Sequence, residues 1–125
     1  MKASCVSALV VLALVSAVMP LPAHHAWPVS YDRLVTVKGT VIEFMWGNPH
    51  PMITVDVQTN NGRTEKWQIG GPAINRMESS GWTKTTVKTG DVITGIGYQF
   101  ADGQKIVRLE RAVLADGKEL RLYGR

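Results

Sequence analysis

The chain predicts an all-β domain with one short helix, arranged as a small five-stranded OB-like Greek-key barrel. Three observations predict it. Short β-type segments separated by turn signals fill most of the chain, a helix signal falls between the third and fourth segments, and the first segment is long with a slip in its alternation. An open β-sandwich with a minor helix is the alternative arrangement.

Residues 34–46 form the long first strand. Val35, Val37 and Val41 share one face, and Thr36, Lys38 and Thr40 the other. From Ile42 the apolar set becomes Ile42, Phe44 and Trp46, and Gly39 sits just before the change. A glycine and a phase slip within one strand predict a bulge, which a barrel uses to turn a corner. Residues 52–58 form the second strand, with Ile53, Val55 and Val57 alternating against polar neighbours. Asn60-Asn61-Gly62 is a hairpin turn, because Asn and Gly tolerate the positive φ that such turns need. The third strand covers 64–69, with Trp67 and Ile69 facing the core. Gly70-Gly71-Pro72 interrupts it, Pro72 opens a helix over 73–80 that carries Ile74 and Met77, and Gly81 ends it. A polar connector over 82–89 leads to strands at 92–100 and 105–114 and a short terminal strand at 119–123. Turns at Gly90-Asp91, Asp102-Gly103 and Asp116-Gly117 punctuate this half.

The start of the chain carries a different signal. Lys2 supplies a positive charge, residues 6–18 are apolar, Pro20 and Pro22 break the run, and Ala23 offers a small residue for cleavage. That order is the pattern of a secretory signal peptide. A membrane-spanning helix needs about 20 apolar residues, and this run is shorter. The expected organisation is a cleavable signal over 1–23, an N-terminal arm over 24–33 and one β-barrel domain over 34–125. The expected location is the periplasm, with no stable membrane anchor after cleavage. Cys5, the single cysteine, leaves with the signal, so the mature chain has neither thiol nor disulfide. The formal net charge of +4 falls by one when Lys2 is lost, and the remaining basic residues are scattered along strands. Scatter and export together point away from nucleic acid as a partner and toward an unknown envelope protein or a small ligand.

Enzyme templates fail. There is no G-x-S-x-G, no cysteine nucleophile and no phosphate-cradling glycine loop. The three histidines are more informative. Cleavage after Ala23 makes His24 and His25 the first two residues, and His50 lies in Trp46-Gly47-Asn48-Pro49-His50-Pro51. A free terminal amine and the ring of an N-terminal histidine together chelate copper, and a second histidine completes a three-nitrogen brace. The candidate metal ligands are therefore His24, His25 and His50, with copper or another late transition metal as the expected cofactor. Met45 and Met52 flank the same loop, and their thioethers suit Cu(I), although methionine more often fills gaps in a core. Trp46, Asn48 and Trp82 are candidates for a ligand groove, with core packing as the alternative for the tryptophans. The opposing function is a metal-free interaction module for a protein or glycan. A copper enzyme built on the brace shares the ligands but needs an open substrate face.

His24-His25-Ala26, Gly39-Thr40-Val41, Trp46-Gly47-Asn48-Pro49-His50, Gly81-Trp82-Thr83, Gly90-Asp91 and Leu114-Ala115-Asp116-Gly117 span nearly the whole mature domain. In these elements the chain resembles a family of small exported bacterial proteins of uncharacterised function. The resemblance implies a periplasmic β domain in which His24, His25 and His50 occupy motif positions. Pro51-Met52 departs from the aromatic or apolar pair expected after the histidine.

Overall fold

The computed structural model describes residues 26–123. The expected signal segment, His24 and His25 lie outside the described residues. Six strands and one helix follow in order: β1 (Val29–Met45), β2 (Met52–Gln58), β3 (Thr64–Gly70), α1 (Ile74–Ser79), β4 (Val92–Phe100), β5 (Ile106–Val113) and β6 (Glu119–Arg121). Antiparallel pairing runs β3-β2-β1-β4-β5-β6, and a parallel pairing of β3 with β5 joins five of these strands in a ring. This is the barrel arrangement expected from the strand and helix order. Among the described residues no helix is long and apolar enough to cross a membrane.

The long β1 makes the ring possible. Its first part, through Thr40, pairs with β4, and its last part, from Thr40 onward, pairs with β2. A strand that serves two neighbours in succession has to coil, and it does so where the sequence slips phase. The β1–β2 register shifts between Val41 and Glu43, leaving Ile42 as the extra residue of a bulge. Gly39 lies where a Cβ would come 2.7 Å from the Asp56 carbonyl oxygen, so the absent side chain lets the two strands close. β1 begins at Val29 rather than at 34, and the expected arm is thus partly strand. Val29 pairs with Phe100, and a register break separates that pair from Leu34 with Tyr98. The polar stretch Tyr31-Asp32-Arg33 has no alternation from which this pairing could be read.

The core follows the predicted inward faces. Val37, Val41, Ile53, Val55, Ile69, Ile93, Val107 and Leu109 are buried inside the ring. α1 sits between β3 and β4 and buries Met77, while Ile74 remains partly exposed. The end of α1 determines the fate of Trp82. Gly81 N–H donates to the Glu78 carbonyl and Trp82 N–H to the Met77 carbonyl, both at 3.0 Å, with Gly81 at φ +89°. This is the paired bonding of a Schellman cap, whose residue after the glycine folds back onto the helix's last turn. Trp82 and Met77 are accordingly buried together, at 0% and 1% exposure.

Candidate metal centre

The site is assembled from the N-terminal stretch outward. Ala101 N–H donates to the Pro28 carbonyl and Val29 N–H to the Trp27 carbonyl, both at 2.8 Å, which pins residues 27–29 beside the end of β4. The Trp27 indole then lies over Gly70, where any Cβ would run into its ring. Phe100 meets the indole edge-on, with ring centroids 5.7 Å apart. On the other side His50 sits against Trp27 at 4.6 Å, with the rings tilted by 49°.

His50 is held by its prolines. Pro51 is buried, its carbonyl accepts a hydrogen bond from Gly71 N–H at 2.9 Å, and the Asn48–Pro49 peptide bond is cis. Ala26, Trp27, Pro49, His50, Met52 and Phe100 line a groove of about 410 Å³, and no charged residue borders it. The Nδ1 of this His50 is buried and finds no hydrogen-bond partner among the described residues. A buried polar atom without a partner costs about 1–3 kcal/mol, so this nitrogen calls for a proton donor, an acceptor or a cation. The described residues contain no cluster of three or more His, Cys, Asp or Glu side chains able to hold a metal. His50 is thus the one imidazole the described residues bring to the groove, and Met52 is the soft atom beside it.

Met45 and Met52 face each other directly in the β1–β2 ladder, and Met52 faces Gly70 in the β2–β3 ladder. Directly opposed residues of antiparallel strands project from the same face, with Cβ atoms about 4.5–5.5 Å apart. The neighbouring pair, Phe44 with Ile53, points to the core, so Met45, Met52 and Gly70 form a row on the outer face. Met45 is 55% exposed there.

The expected groove residues behave differently. Trp82 is fully buried and lines no groove, because the helix cap turns it inward. Trp46 is half-buried against Phe44, at 5.6 Å between centroids, and Phe44 in turn meets Trp82 at 6.5 Å. These three rings cap one end of the core. Asn48 is exposed in the loop. Trp27 and Phe100 complete the groove around His50. Trp27 is one of four tryptophans that the sequence offers to a groove or a core, whereas Phe100 is signalled only by its place at the end of a strand. A second groove, of about 470 Å³, opens at the opposite side of β1, where Val35, Val57 and Trp67 line it. Trp67 therefore packs on the core while bordering an opening.

The family described as being of unknown function, DUF6152, matches residues 11–108. The chain belongs to this family. The match takes in the histidine pair, the loop that carries His50 and the strands that frame it. No curated relative matches the chain. Among solved structures it is similar to the mitochondrial single-stranded DNA binding protein Rim1 of S. cerevisiae. That similarity has 13% identity and a TM-score of 0.49, over 66% of this chain and 92% of that one. At this level of likeness nothing about ligands carries across.

Proposed function

We propose that this protein is an exported, periplasmic copper-binding domain whose site is centred on His50 and completed by the mature N-terminus. The observation that carries the reading is the buried, partnerless Nδ1 of His50, a residue that lines one groove with Ala26. Successive Cα atoms are about 3.8 Å apart, so His25 is one such step from Ala26 and His24 at most about 7.6 Å from it. Residues 27–29 are pinned beside the end of β4, and Trp27 packs against His50. Signal cleavage after Ala23 would free the His24 amine, which with the His24 and His50 rings makes the three nitrogen ligands that Cu(II) favours. His25 is a further ligand candidate. Holding and delivering a metal is the role this reading gives the apolar groove, which no charged residue borders.

Copper(II) titration of protein beginning at His24, beside the same protein extended by one residue, tests this. Tight one-to-one binding that weakens at least tenfold on extension, and again in His50→Ala, is the expected result. Weak binding indifferent to both changes would remove the metal function. The second groove at Trp67 then favours the other reading, a metal-free module for an envelope protein or glycan.

A further inference from the structure

We infer that the groove edge carries a second, soft ligand set for a monovalent coinage-metal ion, built from His50 and Met52 of the groove with Met45, the ladder partner of Met52. The inference rests on His50 being a ligand, as proposed above, but not on His24 or the free amine. It makes the protein a carrier for Cu(I) (or Ag(I)) at a site whose ligands all belong to the folded domain.

The register sets the two methionines side by side. Met45 and Met52 are the last ladder pair before the loop that holds His50, and they project from the same outer face. Met52 lines the groove with His50, and Met45 is its ladder partner at the rim of that groove. The third position of that row is Gly70, and the Trp27 ring occupies the space its side chain would fill. The indole therefore lies next to Met52 and against His50, which is 4.6 Å from it.

The chemistry of these groups selects the ion. Two thioethers and one imidazole are neutral and mostly soft, a donor set that favours Cu(I) over hard or divalent cations. A monovalent ion also enters a groove without carboxylates at lower desolvation cost than a divalent one. The face of an indole attracts a cation held near it, and it shields the ion from water and oxidants. Core packing does not account for Met45. A methionine filling a gap is buried, whereas this one is 55% exposed and aligned with a second methionine.

The test is anaerobic competition for Cu(I) against a chromophoric chelator, using protein that begins at His24 and its Met45→Leu/Met52→Leu double variant. Ag(I) serves as a redox-inert probe, read through quenching of tryptophan fluorescence. Leucine keeps the volume and removes the sulfur, and circular dichroism checks that the variant folds. Cu(I) and Ag(I) affinity is expected to fall at least tenfold in the double variant and in His50→Ala, while Cu(II) affinity of the double variant changes less than twofold. Trp27→Phe should remove most of the Ag(I)-induced quenching. Unchanged Cu(I) and Ag(I) affinity in the double variant overturns the soft site and leaves the Cu(II) result standing by itself. Conversely, Cu(I) binding that needs the methionines and His50 but ignores the one-residue extension supports the soft site even where the amine brace fails.

Discussion

At the scale of single residues, burial separates tryptophans that look alike in the sequence. Trp82 is sealed between α1 and the ring, and its Nε1 is buried without a hydrogen-bond partner. The loss of that unpaired N–H would be a small gain, whereas the loss of the indole leaves a large cavity. Trp82→Ala should therefore destabilise the domain by about 3–5 kcal/mol, read as a lowered denaturant midpoint. Trp27 has the opposite character, because its ring is partly exposed and packs on His50, Phe100 and the bare backbone of Gly70. Its removal should alter the groove far more than global stability. Other exposed polar groups act locally: Asp102, for example, is held below the usual carboxylate range by the backbone and side chain of Gln104 within the β4–β5 turn.

At the scale of elements, the N-terminal stretch and β3 depend on each other through one missing side chain. Gly70 ends β3 opposite Met52, and the space above it is filled by Trp27. Gly70→Val should expel the indole and loosen the chain ahead of Val29, weakening both proposed modes of copper binding. The expected result is at least a tenfold loss of copper affinity together with increased proteolysis before Val29, both measurable on the purified protein. Retained affinity would show that the N-terminal stretch needs no docking on β3. The bulge at Ile42 has a related architectural effect. By switching the phase of β1 it turns Phe44 toward the core and Met45 outward, and so determines which of the two reaches the outer face.

At the scale of the whole molecule, the closed ring leaves residues 26–28 and the loop that carries Pro49 and His50 at the same edge of the barrel. A ligand set drawn from the mature N-terminus and this loop then depends on how the precursor is cut. Mature protein recovered from the exporting cell should begin at His24 by N-terminal sequencing. A start elsewhere would eliminate the amine brace but leave the methionine and His50 set intact.

Alternation, turn residues and the glycine before Ile42 determined the strands, the helix position and the barrel order, because each is a local preference with its own period. The sequence also pointed to His50 as a candidate ligand, the one histidine of the expected mature chain outside its first two residues. The tertiary structure decided what stands beside it. That Trp27 covers Gly70, that Phe100 completes the groove and that Met45 faces Met52 depend on strand register and ring closure. These relations join residues far apart in the chain, which no local pattern records. Trp82 marks the boundary between the two kinds of information. The Met77, Gly81 and Trp82 spacing of its helix cap was present in the sequence, but only the packed ring shows that the space behind the helix is core rather than groove.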